Sequence, residues 1–169
     1  MGVAKPVKLT DYWVDQFEVT NRDFKKFVDG GGYRERKYWK EPFRERARTL
    51  GFDEAIGRFR DATGRPGPAT WELGSYLEGQ EDFPVGGISW FEAAAYSQYA
   101  GKNLLSLYHW YKASGVDEIF SDMLRLSNFD AKGSVKVGAR EGIGPWGAYD
   151  MAGNVKEWGL NEAGDTGLR

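Results

Sequence analysis

Polar and apolar residues alternate from Tyr12 to Val19 (YWVDQFEV), with Trp13, Phe17 and Val19 on one parity, and this pattern predicts a strand. Thr20 follows as a helix N-cap with Asp23 close behind. Phe24, Phe27 and Val28 then recur at helical spacing until Gly30-Gly31-Gly32 ends the run. Phe52, Ala55, Ile56 and Phe59 make one apolar stripe and predict a short helix over Asp53 to Arg60. From Thr63 to Pro84 the chain is rich in Gly and Pro, but it carries Trp71 and Tyr76. Large rings need a surface to lie on, so this stretch reads as an ordered loop rather than a free linker.

The clearest local signal is Ser89-Trp90-Phe91-Glu92, a capping box that opens a helix through Ala93, Ala94, Ala95 and Tyr96 and stops at Gly101. A further helix is expected from Ser106 to Ser114, with Leu107, Trp110 and Tyr111 on its apolar side and Gly115 at its end. Short segments broken by glycine follow. No repeat or internal boundary interrupts the chain, so one domain is expected over residues 1–169.

Composition sharpens this picture in two places. Seven Trp, nine Tyr, ten Phe and 23 Gly point to an irregular fold in which rings fill space that regular packing would otherwise fill. The net charge of −2 provides no field to gather nucleic acid or anionic lipid. The basic stretch from Arg34 to Arg48 is interleaved with Glu35, Glu41 and Glu45, and reads as a solvated helix face of mixed charge rather than a phosphate patch. No apolar run is long enough to span a bilayer, and Met1 to Lys8 does not read as a signal peptide. The compartment is left open.

Candidate chemistry is limited by what these residues lack. There is no cysteine, which removes disulfides, thiolate metal sites and a cysteine nucleophile from this chain. The one histidine, His109, stands among aromatics in a helix and reads as a packed, hydrogen-bonded residue. Gly142-Ile143-Gly144-Pro145-Trp146-Gly147 matches a dinucleotide fingerprint in spacing alone, since Pro145 and the absence of a βαβ pattern place it in an irregular loop.

Several landmarks occur in a fixed order: FEVTN at Phe17–Asn21, PVGGISW at Pro84–Trp90, Ala94-Ala95-Tyr96, Ala100-Gly101-Lys102, LYHWY at Leu107–Tyr111, SNF at Ser127–Phe129 and GAYDMAGNVKEW at Gly147–Trp158. This order resembles the formylglycine-generating-enzyme (sulfatase-modifying-factor) family, in a bacterial branch often fused to serine/threonine kinases. The resemblance implies an α+β domain of C-type-lectin-like fold, with a small twisted antiparallel sheet, about three helices and little regular structure. One departure is Asn103-Leu104-Leu105-Ser106, which stands where relatives carry a basic-Leu-Pro-Thr turn. Relatives also continue past the Asn-Val-x-Glu-Trp motif with strands that close the sheet. The resemblance therefore implies an uncovered edge around Trp13 and Phe17. Self-association, a second polypeptide or a fold-back of Gly159 to Arg169 would cover it.

The resemblance also implies candidate ligands. The family oxidase uses copper, and cuprous copper selects thiolates; the related iron-dependent sulfoxide synthases use three histidines. This chain has neither set, so neither copper nor iron is expected. Calcium is expected instead. Carried over residue by residue, Asp150 and Glu157 supply carboxylates, and Gly153 and Val155 supply carbonyls. The alternative is the same loop closed by water or hydrogen bonds. Asn128 and Phe129 match the first half of a second family site whose later acidic loop is missing. Trp71, Tyr76, Trp146 and Trp158 either line a ligand groove or fill the core. The expected function is a non-catalytic binding module for a protein, peptide or glycan, with self-association or a parent signalling protein as further partners. The alternative is an oxidase of the same family in a truncated or cysteine-free form.

Overall fold

The fold is described from a computed structural model for residues 7–45, 48–116, 125–129 and 132–160. Thr20 starts the first helix, α1 (Asn21–Asp29), because its hydroxyl accepts from the Asp23 N–H and so satisfies one of the donors orphaned at a helix start. A 3₁₀ turn (Arg36–Tyr38) follows, then β1 (Arg44–Glu45) and β2 (Arg48–Thr49), an antiparallel pair in which Arg44 faces Thr49 and Glu45 faces Arg48. Next come α2 (Phe52–Ile56), α3 (Trp90–Tyr99) and α4 (Leu107–Ser114). The class is α+β, with four α-helices among the described residues and a sheet of two short strands.

The caps read from the sequence are present as chemistry. Ser89 accepts from the Glu92 N–H while the Glu92 carboxylate accepts from the Ser89 N–H, a complete capping box. Ser106 accepts from the His109 N–H, and Gly115 ends α4 at φ 61°, a conformation glycine adopts without penalty.

Three elements differ from expectation. The stretch Tyr12–Val19 forms no strand; pairing begins only at its end, where Val85 N donates to Val19 O and Thr20 bridges Pro84. Its parity is inverted over Tyr12–Val14, whereas Val19 packs on the main core as the alternation predicts. Trp13 is fully exposed, while Val14 packs on Ala113, Ala148 and Met151, and the Tyr12 hydroxyl donates to His109 O at 2.8 Å. Side chains here meet α4 and loops rather than a neighbouring strand, so alternation alone does not set the register. The helix expected over Asp53–Arg60 stops at Ile56, where Gly57 caps it, and Phe59 reaches the core from the turn beyond. The basic stretch is a turn and hairpin rather than a helix face. Its charges do alternate in sign: Arg58 meets Glu45 at 2.6 Å and Arg48 meets Glu54. Solvent screens such exposed pairs, so they add little to stability.

The main core is aromatic. Phe24 and Phe27 of α1 are fully buried, and the Phe27 ring meets Tyr33, Trp39, Tyr96 and Tyr99 at centroid distances of 5.4–6.4 Å. Each buried ring contributes roughly 1.5–3 kcal/mol through area and about 0.5–1.5 kcal/mol more per well-placed pair. The polar ends are satisfied: Trp71 Nε1 donates to Asn21 Oδ1 at 3.0 Å and Trp39 Nε1 to Gly32 O at 2.8 Å. A second, smaller cluster of Ala113, Ala148 and Met151 packs with Trp110 beside α4. No helix among the described residues is long and apolar enough to cross a membrane.

Candidate functional site

The motif GAYDMAGNVKEW folds as a loop of tight turns rather than as a helix or strand. Asp150 and Asn154 hold left-handed backbone conformations at φ 54° and 51°, with Gly153 at 84° between them. For a residue with a Cβ this costs roughly 1–2 kcal/mol, so the surroundings must fix it. Asp150 is 2% exposed, and its Oδ2 accepts from the Gly138 N–H at 2.7 Å. Asn154 donates its N–H to Asn128 O at 2.9 Å, and its Oδ1 accepts from Val135 N at 2.9 Å and Asn128 Nδ2 at 3.2 Å. A Cβ on Gly153 would lie 2.7 Å from Asn128 O, so the two backbones approach too closely for any other residue.

Two of the four expected calcium ligands carry charge. Glu157 Oε2 accepts from Trp110 Nε1 at 2.9 Å. Glu157 as a residue is exposed, but desolvation of its carboxyl raises it above the usual range, and the negative charge of Asp150 raises it further. Glu18, which the sequence reading did not single out, joins them. Its Oε2 accepts from Asn154 Nδ2 at 2.6 Å and its Oε1 from Val155 N at 3.3 Å. Burial pushes its pKa up to about 8, against the lowering effect of those two bonds and with help from Asp150 and Glu157. The signal that could have found it is an acid between Phe17 and Val19 in FEVTN, where the surroundings are apolar.

These like charges suit a cation, which would remove both the repulsion and the desolvation cost. The donor chemistry therefore fits calcium at Asp150 and Glu157. Among the described residues no three His, Cys, Asp or Glu side chains converge as a metal cluster, so carbonyls and water would complete the shell. Asn128, from the first half of the second site, stands directly behind the loop. Its Oδ1 is buried without a hydrogen-bond partner, while its Nδ2 also donates to Gly133 O.

Beside this loop lies a groove of about 960 Å³, between Val14–Val19, the Pro84–Ile88 stretch, the start of α4 and Tyr149–Gly159. Val19, Val85, Leu104 and Met151 line it together with Glu18, Asp150 and Glu157. Trp158 stands at its margin with Nε1 donating to Ile88 O at 3.0 Å. After it, Leu160 N donates to Leu105 O, so Gly159–Leu160 runs along Leu105–Ser106 and not along the N-terminal segment. Residues 161–169 of the expected fold-back lie outside the described residues.

The aromatic candidates are dispersed. Trp71 is 2% exposed in the main core and Tyr76 packs against it at 5.5 Å. Trp146 is exposed elsewhere, with Lys112 over its ring at 4.9 Å. None of the three lines the groove. On α4, Leu107 and Tyr111 face outward and the buried side is Ala113 and Ser114 with half-buried Trp110, because the helix packs on the motif loop through its small residues. His109 is a packed residue: Nδ1 lies 2.6 Å from Ser106 Oγ, and Tyr12 meets its ring edge-on at 4.6 Å.

Comparison with known proteins gives a family match over residues 2–167 to the sulfatase-modifying factor enzyme 1-like domain. Hercynine oxygenase of Mycolicibacterium smegmatis is 28% identical over 92% of this chain and 38% of its own length. Serine/threonine-protein kinase pkn1 of Chlamydia caviae is 29% identical over 89% of this chain and 22% of its own. The inactive C-alpha-formylglycine-generating enzyme 2 of Bos taurus is 27% identical over 99% of this chain and 66% of its own. The chain thus spans from about a fifth to about two thirds of the length of these relatives.

Proposed function

We propose that this chain, which belongs to the sulfatase-modifying factor enzyme 1-like family, is a non-catalytic binding module. It is a C-type-lectin-like scaffold that holds one structural calcium and engages a protein or peptide through the groove beside the motif loop. The observation that carries this reading is compositional: the chain has no cysteine and one histidine. Copper-dependent oxidation of a cysteine needs thiolates to hold Cu(I), and an imidazole-held iron centre needs several histidines. Neither can be assembled from these residues. The name of the bovine relative, an inactive enzyme, shows that the family includes members without the reaction. The kinase relative supports a setting inside a longer signalling protein.

The calcium would be held by the Asp150 and Glu157 carboxylates and the Gly153 and Val155 carbonyls, and would neutralise the charge gathered there. Asp150 and Asn154 hold the turns, Trp110 orients Glu157, and the loop in turn forms one wall of the groove. The apolar walls favour a protein or peptide over a glycan. Nucleic acid and membrane are not among the partners we propose.

Two measurements test this. Incubated with a cysteine-containing sulfatase-motif peptide, with and without copper, the chain should yield no aldehyde above a no-protein control; turnover would overturn the non-catalytic reading. Calcium should raise the melting temperature, and EDTA should reverse the rise. An unchanged melting temperature in both would remove calcium from the proposal.

A further inference from the structure

Glu18 stands 136 residues before Asn154, yet its two oxygens accept from consecutive residues of the motif loop, Asn154 Nδ2 at 2.6 Å and Val155 N at 3.3 Å. Asn154 is held on its other side by Val135 and Asn128. Its side-chain amide can turn only one end toward Glu18. With the Nδ2 end bound to a carboxylate, the Oδ1 end faces the donors Val135 N and Asn128 Nδ2. Both Glu18 contacts are donors to Glu18, which a carboxylate satisfies with both oxygens. A glutamine would place its own NH₂ against one of them, donor against donor. The ionised acid, the form a bound cation favours, thus fits the position better than its amide isostere.

We propose that Glu18 is the positioning residue of the cation loop. It fixes the Asn154 side chain and the Val155 amide, and so sets the backbone from which Gly153 and Val155 carbonyls reach calcium. The inference rests on the calcium reading above and extends it to a residue outside the motif. Metal sites depend on such outer contacts, and losing one typically lowers metal affinity about 10–100-fold.

The test compares the whole chain with Glu18→Ala, Glu18→Gln and, as a control on the same segment, exposed Asp11→Asn. Calcium binding is read by titration calorimetry, and loop order by amide hydrogen exchange at Asn154 and Val155. Glu18→Ala should weaken calcium binding about 10–100-fold and speed exchange at Asn154 and Val155. Glu18→Gln should change both in the same direction, and Asp11→Asn neither. If Glu18→Ala does not fold, Glu18→Gln decides. Folded Glu18 variants with wild-type calcium affinity and wild-type exchange at the two amides would overturn the proposal. A wild-type chain that takes up no calcium, while Glu18→Ala still frees the Val155 amide, would remove the calcium reading and leave the positioning role standing.

Discussion

The Asn154 side-chain amide donates to Glu18 Oε2 at 2.6 Å and ties the segment before α1 to the loop after Met151. This bond crosses most of the chain and lies at the groove, so the site is assembled from both ends of the described fold. Its consequences for pH follow from burial. Glu18 has a folded pKa of about 8 without a bound ion, well above that of an unfolded glutamate. The protonated form is therefore favoured by folding. That contribution is complete below the unfolded pKa, near 4.5, and is lost as pH rises through about 8. In EDTA, the melting temperature should fall between pH 5 and 8. Glu18→Gln should flatten this slope without abolishing it, because desolvation also raises the carboxyls of Glu92 and Glu157. Saturating calcium should flatten it as well. A wild-type slope in Glu18→Gln would refute the assignment.

Gly153→Ala should disturb the motif loop directly. The position has φ 84°, and the new methyl would meet Asn128 O at 2.7 Å. Strain and the close approach together should cost about 1–3 kcal/mol. Thermal unfolding measures the loss, and it should exceed that of Gly101→Ala, where φ is also positive but nothing lies within 4 Å.

Asp61 organises the long loop after α2. It is 5% exposed, and its Oδ1 accepts from Thr63 N, Thr63 Oγ and Arg65 N while Oδ2 accepts from Gly74 N. Burial raises its pKa, but these bonds outweigh it and hold the carboxyl below its usual range. Stability from Asp61 is therefore present above the unfolded pKa and lost as pH falls through the folded one. Asp61→Ala removes the acceptor shared by four donors of this loop and should cost about 1–3 kcal/mol at neutral pH. Urea unfolding would show it, together with earlier proteolysis between Thr63 and Pro84.

Glu92 serves two elements at once. Its Oε2 accepts from Ser89 N to cap α3, and its Oε1 accepts from the Tyr33 hydroxyl at 2.5 Å within the core. Glu92→Ala removes the cap and strands the buried Tyr33 hydroxyl, an expected loss of about 2–4 kcal/mol. Tyr33→Phe removes only the bond and should cost less. Adding Tyr33→Phe to Glu92→Ala should then cost little more, since the stranded hydroxyl is gone. Full additivity in a double-mutant cycle would contradict this coupling.

What the sequence determined by itself is local or compositional. The caps at Thr20, Ser89–Glu92 and Ser106, and the stop at Gly115, were legible because a cap is chemistry between residues three or four apart. The motif at Gly147–Trp158 marked the family, and the absence of cysteine limited the chemistry whatever the fold. Only the tertiary structure decided which side chains those elements meet. Tyr12–Val19 alternates like a strand but forms none, because a strand exists only by pairing and this segment packs on α4 and on loops instead. Trp71 is sealed in the core by Asn21 while Leu107 and Tyr111 face outward, since the small residues of α4 take the buried side. Glu18 entered the site for the same reason. Its carboxylate is tuned by burial and by charges brought to it across 136 residues, and no local pattern encodes that approach.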